Sequence, residues 1–372
     1  MPITVQQLVE QIHASPTRIV LGVTGGGSRA IADLLEVPGA SRTLLEAVVP
    51  YAENALAAWL GGRPDQSCSL ETARAMAMAA FRRAYAYEDV NSPLAGVACT
   101  AGLATDRPRR GPHRAHLAVQ TAAYTAAWSL GLEKGRRARA EEERLVARLL
   151  LNVVASACGL DAQLPLELGE GERVEHSQTT APQAWQDLLL GKVQAVCLRG
   201  PAAGAIFPGA FHPLHTGHRR MAEIASQILG VPVALEISII NVDKPPLDYI
   251  EIDQRLHQFP TEQPVWLTRA ATFEEKSRLF PGATFIVGTD TLRRIGDPRY
   301  YGDDPAACLA AIERIATRSC RFLVFGRDLG TGFVRLTDLA LPDPLKALCR
   351  EVPAEVFRED VSSSGIRKLQ KD

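Results

Sequence analysis

The chain has no Cys-x-x-Cys pair. Its seven cysteines stand singly at positions 68, 99, 158, 197, 308, 320 and 349, so neither a zinc site nor a disulfide framework is indicated. Net charge is nearly absent too: 41 Lys and Arg against 42 Asp and Glu leave a formal −1. That balance gives no reason to expect nucleic acid or an acidic membrane surface as a partner, although a local basic pocket stays open. No run of 18 apolar residues occurs, so no transmembrane helix is expected. The first ten residues, Met-Pro-Ile-Thr-Val-Gln-Gln-Leu-Val-Glu, lack the basic start, apolar stretch and cleavage site of a secretory signal. A soluble cytoplasmic protein acting on a small ligand is the expectation.

What the chain does have is length and apolar content. With 372 residues, 46% of them hydrophobic, it can bury two cores, so two domains are expected. Both halves open alike, on an apolar run, a glycine-bearing loop and an amphipathic helix. In the first half Arg18-Ile-Val-Leu-Gly-Val23 reads as a strand, followed by Thr24-Gly-Gly-Gly-Ser28 and a helix with Ala30, Ile31, Leu34 and Leu35 inward. The loop is not G-x-G-x-x-G, so no dinucleotide fingerprint is supported; it is either an anion cradle or a tight turn packing helix on strand. A strand at 43–49, a helix at 69–85 capped by Ser69, strands at 94–100 and 116–121, and a helix at 134–157 complete this half.

Val23-Thr-Gly-Gly26, Val37-Pro-Gly-Ala-Ser41, Tyr51 and Cys99-Thr-Ala-Gly102 together resemble the competence-damage-inducible (CinA) carboxy-terminal family. That family includes amidases that convert nicotinamide mononucleotide to its acid form and ammonia. The resemblance covers roughly residues 8–160 and implies an α/β domain over 1–164. It departs where the chemistry would sit. The family pattern has Glu-Ser-Cys before Thr-Gly-Gly, and this chain has Leu21-Gly22-Val23; a lysine expected after the tyrosine falls at or near Leu56. With neither polar group, activation of a nucleophile has no evident agent, so the domain is expected to keep the fold and lose the amidase reaction. Residues 165–202, turn-rich and polar, read as a connecting segment with a short helix at 181–190 and a strand at 194–198 that joins the second domain. His176 within it reads as solvated.

Residues 203–372 alternate regularly. Strands at 233–240, 265–268, 283–287, 321–325 and 354–357 alternate with helices at 249–259, 273–280, 291–295, 306–316 and 363–370. This implies a Rossmann-like parallel sheet with helices on both faces, whose ligands collect at the carboxyl ends of the strands. The domain opens on Ala205-Ile-Phe-Pro208 and then Gly209-Ala-Phe-His-Pro-Leu-His-Thr-Gly-His218, a loop carrying three histidines at the amino end of a helix with Met221, Ile224, Ala225, Ile228 and Leu229 on one face. Free N–H groups and a positive dipole end suit a phosphate there. His212, His215 and His218 fit no H-E-x-x-H pattern and have no carboxylate between them, so a metal site is not expected.

The decapeptide closely resembles the signature of the nucleotidylyltransferase superfamily, whose core is His-x-Gly-His. Val361-Ser-Ser-Ser-Gly-Ile-Arg367 matches that superfamily's Ile-Ser-Ser-Thr-x-Ile-Arg, and Val287-Gly-Thr-Asp-Thr-Leu292 resembles a stretch of the nicotinamide and nicotinate mononucleotide adenylyltransferases. The resemblance implies adenylyl transfer from ATP to nicotinamide mononucleotide, giving NAD and pyrophosphate. His215, His218 and Arg367 are then the catalytic candidates. Phe207, Gly209, Phe211, His212, Lys244, Gly288, Asp290, Ser362, Ser363 and Ser364 are the candidates for substrate binding. Asp290 is equally suited to binding a ribose or capping the next helix; Tyr300 and Tyr301 are suited to stacking on a base or to packing. Mg2+ would arrive with ATP, and the partners are ATP and a mononucleotide, with no nucleic acid or membrane; a homo-oligomer is compatible with the sequence. The superfamily usually has Asn or Asp where this chain has His212, which leaves open another acceptor such as phosphopantetheine, cytidylyl in place of adenylyl transfer, or a non-catalytic nucleotide-binding regulatory protein.

Overall fold

In a computed structural model, described for residues 2–88, 92–106, 111–200, 204–240, 245–328 and 332–358, the chain divides into two units. One comprises Met1–Gln186 and Val242–Ile252, the other Asp187–Asn241 and Asp253–Asp372.

The first unit runs α1 (Val5–Ala14), β1 (Arg18–Thr24), α2 (Arg29–Glu36), β2 (Leu44–Val48), α3 (Glu53–Leu60), α4 (Leu70–Tyr87), β3 (Leu94–Gly102), β4 (His113–Thr121), β5 (Tyr124–Leu132), α5 (Arg139–Ala157) and β6 (Val174–Thr180). Its sheet has the order β2-β1-β3-β4-β5-β6, parallel over the first three strands and antiparallel over the rest. Leu145, Leu149, Leu150, Val153 and Val154 of α5 are buried in one core with Leu8 and Ile12 of α1 and Leu34 of α2. On α4, Ala73, Met76 and Ala77 help form a second core with Leu56 and Leu60 of α3. That helix lies so close to β3 that a Cβ at Gly96 would strike the backbone of Ala77 and Phe81, which is why the strand carries a glycine there.

Two strands of this sheet run against expectation. β5 mixes small and polar residues and shows no clean alternation, and β6 lies in the stretch expected to connect the domains. β6 is an edge strand, mostly solvated, and its place rests on backbone pairing with β5 rather than on an apolar face. The helix expected from 134 starts only at Arg139. The turn before it is held by the Glu172 carboxylate, which accepts from Glu133 N at 2.8 Å and from Arg137 at 2.6 and 2.8 Å. Residues 242–252, met in sequence among those of the second unit, belong to this one. Asp248 pairs with Arg74 at 3.0 Å, both side chains only 5% exposed. Tyr249 N donates to Thr125 Oγ1 (3.0 Å), its hydroxyl donates to Ala122 O (2.7 Å) and its ring stacks on Trp185, while Ile250 enters the core with Met76.

α6 (Gln183–Leu189) leads into the second unit, and the chain continues with β7 (Ala195–Arg199), β8 (Ala205–Pro208), α7 (Thr216–Leu229), β9 (Val233–Ser238), α8 (Tyr249–Leu256, of which Tyr249–Ile252 belong to the first unit), β10 (Val265–Thr268), α9 (Phe273–Leu279), β11 (Thr284–Gly288), α10 (Thr289–Ile295), α11 (Pro305–Thr317), β12 (Arg321–Phe325), β13 (Arg327–Asp328), β14 (Phe333–Val334), α12 (Asp343–Lys346) and β15 (Cys349–Val352). The sheet order is β15-β12-β11-β8-β9-β10-β7, parallel throughout except for β7, which joins β10 antiparallel. Ile206, Phe285, Val287, Phe322 and Val324 pack with Leu292, Ile295, Ile312 and Ile315 of α10 and α11 on one face. The alternate residues Phe207, Ile286, Leu323 and Phe325 are buried as well, so both faces of the sheet are covered. Among the described residues the last strand is β15, not the 354–357 expected from its alternating Ala-Glu-Val-Phe. Pro353 cannot continue the ladder, and its carbonyl instead accepts from Val356 N and Phe357 N in a turn. The closing helix expected at 363–370 lies outside the described residues. Among the described residues no helix is long and apolar enough to cross a membrane.

The strand order reverses between β8 and β11. In such sheets the loops leaving these two strands diverge and open a crevice at their carboxyl ends.

Candidate active site

β8 feeds the histidine loop into that crevice. Gly209 N donates to Glu236 O at 3.0 Å, and there the chain leaves the sheet. A Cβ at Gly209 would sit 2.7 Å from the Phe211 ring, so only glycine fits. Phe211 itself has φ +46°, a left-handed backbone that costs a non-glycine residue about 1–2 kcal/mol. Its ring, 1% exposed, offsets that cost by packing edge-on to Phe207 at 5.4 Å, His218 at 5.1 Å and Phe259 at 5.5 Å. Gln258 fastens the same loop, accepting from Leu214 N at 2.7 Å and donating to Phe211 O at 3.5 Å. Nothing in the sequence pattern singled out Gln258.

His215 caps α7 and His218 lies in its first turn. Their imidazoles stack with centroids 3.7 Å apart, and each residue is 8% exposed. His215 N donates to His218 Nδ1 at 3.4 Å, which leaves the ring proton of neutral His218 on Nε2. Both ring nitrogens of His215 are buried without a hydrogen-bond partner. Burial and the charge of Arg327 lower the pKa of His215; burial, then His215 and Arg327, push that of His218 down to about 3. The site thus holds two neutral rings at neutral pH. It includes buried nitrogens whose hydrogen-bonding capacity is unspent, the signature of a place for a polar ligand.

β11 supplies the opposite wall. A Cβ at Gly288 would run into Asp290 Oδ1 and lie 3.1 Å from Arg327 Nε, so a side chain here would displace the Asp290–Arg327 pair. Asp290 does not cap α10 from the N-cap position, which is Gly288; its carboxylate faces Arg327 at 3.5 Å. Arg327 follows the carboxyl end of β12 and was not anticipated from sequence. Its only signal is its place two residues after a core strand, one strand over from β11. The structure therefore brings Phe207, Gly209, Phe211, His215 and His218 into one cluster and pairs Asp290 beside Gly288 with Arg327. His212 is half-buried on the loop. Lys244, Ser362, Ser363, Ser364 and Arg367 lie outside the described residues. Tyr301 donates to Ile295 O at 2.9 Å and packs against the core, whereas Tyr300 is exposed.

Residues 206–369 match the family model described as cytidylyltransferase-like. This segment is similar to the nucleotidyltransferase superfamily. Among solved structures, the chain is similar to the competence/damage-inducible protein CihA from Agrobacterium tumefaciens, with 18% identity and a TM-score of 0.32 over 42% of this chain and 98% of that one. It is also similar to a competence or damage-inducible protein from Enterobacter asburiae, with 15% identity and a TM-score of 0.33 over 42% and 99%. A CinA superfamily protein from Escherichia coli gives 16% identity and a TM-score of 0.29 over 42% and 87%. No curated protein matches the chain.

Beside the nucleotidyltransferase-like domain, the first unit's glycine loop has a different local chemistry. The Glu143 carboxylate accepts from Gly27 N at 2.9 Å and from Ser28 Oγ and Arg29 N at 3.1 Å each. The N–H groups of the expected anion cradle hold the protein's own carboxylate. A side chain at Gly22, where the amidase-like pattern would have serine, would meet the Trp59 indole at 2.7 Å, and Leu56 is a buried core residue. The groups missing from the sequence pattern are thus replaced by packing.

Proposed function

We propose that the second unit transfers an adenylyl group from ATP to nicotinamide mononucleotide, giving NAD and pyrophosphate. The observation that carries this reading is the stacked His215–His218 pair at the amino end of α7, at the point where strand order reverses, with buried ring nitrogens unspent and Arg327 alongside. A phosphate oxygen of the acceptor attacks the α-phosphorus in line, the bond from that phosphorus to the bridging oxygen breaks, and pyrophosphate leaves with the electron pair. No covalent enzyme intermediate is needed, so the protein contributes positioning and charge neutralisation.

In this scheme His218 donates from Nε2 and His215 adds a second donor, while the dipole of the 14-residue α7 and the charge of Arg327 favour the developing negative charge. Gly209 and Gly288 keep the two strand ends low enough for the nucleotide to approach backbone, and Asp290 orients Arg327 or binds a ribose. Ser362, Ser363, Ser364 and Arg367 hold the β,γ-phosphates, and Lys244, a few residues beyond β9 in sequence, adds charge. Mg2+ enters as part of the ATP substrate, ligated by phosphate oxygens and water. Nicotinamide mononucleotide is favoured as acceptor because the first half resembles a family acting on the same molecule, an associative argument. The family description favours a second reading, cytidylyl transfer from CTP at the same site.

The test is to incubate the intact protein with the magnesium complex of ATP or CTP and each of nicotinamide mononucleotide, its acid form and phosphopantetheine, following pyrophosphate and the nucleotidylylated product. NAD formation from ATP and nicotinamide mononucleotide should outrun every other pair. No product from any pair would remove the transferase reading and leave a nucleotide-binding regulatory protein.

A further inference from the structure

The antiparallel half of the first unit's sheet carries a cavity of about 320 Å³ whose lining includes several charged and polar side chains. Arg114 and His116 project from β4; Gly131 and Ser129 of β5 lie opposite them in register, and Glu175 of β6 lies opposite Ser129. The two-residue period puts these side chains on one face; Arg173, just before β6, joins them, and Pro112, His113, Leu130 and Gly171 also line the cavity. His116 Nδ1 and Ser129 Oγ are 2.9 Å apart, which fixes the ring. Arg114 donates to Cys68 O at 2.7 Å and Gln66 Oε1 at 3.4 Å, which aims its guanidinium. A Cβ at Gly131 would meet nothing within 4 Å, so the floor is backbone that a ligand can approach.

A serine hydrogen-bonded to a histidine invites comparison with a hydrolase. However, β5 is flanked by ladders on both sides and has no spare pair of N–H groups to stabilise an oxyanion beside Ser129. The cluster is equipped for recognition instead. Burial and the nearby Arg114 charge lower the pKa of His116, leaving a neutral ring. Among the fixed charges of the lining, the guanidinium groups of Arg114 and Arg173 outnumber the single carboxylate of Glu175.

We propose that this cavity binds a small metabolite carrying a phosphate or carboxylate at one end and a hydroxyl or ammonium at the other. The oxyanion is held by Arg114 and Arg173, and the donor end by Glu175 and Ser129. Guanidinium groups match either oxyanion bidentately. The volume, at the small end of the roughly 300–1,000 Å³ of small-molecule sites, fits a sugar phosphate or an amino acid.

Calorimetric titration of the intact protein with inorganic phosphate, ribose 5-phosphate and L-serine tests this. Gly131→Leu fills the open floor without altering any charge, and Arg173→Ala removes an exposed cation; neither should change the melting temperature by more than about 2 °C, the scale of a surface substitution in a chain of this size. Ribose 5-phosphate or serine should bind, and both variants should weaken that binding at least tenfold; which of the two binds names the oxyanion. Heat of binding that survives Gly131→Leu belongs to another site, and that outcome, or no binding by any of the three probes, overturns the proposal.

Discussion

His218 has one ring nitrogen facing the backbone N–H of His215 and one to offer. His218→Ala should lower turnover at least about 100-fold with the fold intact, the scale of losing one positioned donor; steady-state rates beside far-ultraviolet circular dichroism check it, and an unchanged rate would take the ring out of the site. The same ring sets a pH dependence. Its folded pKa, pushed down to about 3, lies below the ordinary 6.5, so between these values the unfolded chain binds a proton that the folded unit does not. Stability is therefore present above the unfolded value and is lost as pH falls, by up to about 1.4 kcal/mol per unit for this group. Urea unfolding at pH 7 and pH 5 should show a smaller loss in His218→Gln than in the wild type; equal losses would show that the ring does not titrate in this way. The histidines were legible because they sit together in one decapeptide. Arg327 and Gln258 were not, because single residues far along the chain reach the site only through strand order and loop packing.

At the scale of elements, the loop from β8 to α7 works as a strained turn braced by aromatic packing. Gly209→Ala drives a methyl into the Phe211 ring, which is buried and held on three sides, and should cost about 1–3 kcal/mol as overpacking does. Thermal unfolding checks this, and a variant as stable as the wild type would mean that the loop gives way freely. Helices α4, α5 and α7 could be read from sequence because each buries an apolar stripe, and the parallel order of the second unit's sheet followed from its alternation of strands and helices. β6 was hidden because an edge strand with solvated side chains has no apolar signature. β15 was misplaced because alternation at 354–357 outweighed the stop signal of Pro353. The glycine loop after β1 was recognised, but its occupant was not: Glu143 arrives from a helix more than a hundred residues later.

At the scale of the whole molecule, the least legible feature is the membership of residues 242–252 in the first unit, since local pattern says nothing about which core a loop will join. Asp248→Ala leaves the Arg74 guanidinium buried without its carboxylate and should destabilise the first unit by about 3–5 kcal/mol, whereas replacing both residues with apolar ones of similar volume should recover most of the loss. Chemical denaturation of the three variants separates these outcomes; a single variant with wild-type stability would show that the pair contributes little.

That segment also orders events in time. A ribosome delivers the chain from its amino end, and every strand of the first sheet has been made by residue 180. Yet Asp248, Tyr249 and Ile250 are still unsynthesised then, and at roughly 5–20 residues per second the wait is on the order of ten seconds. For that interval the nascent unit holds Arg74 without its counter-charge and an apolar face without its cover. Its final closure is thereby tied to synthesis of the β8–β9 region of the nucleotidyltransferase-like domain, so a chain that stalls early never presents a finished first unit.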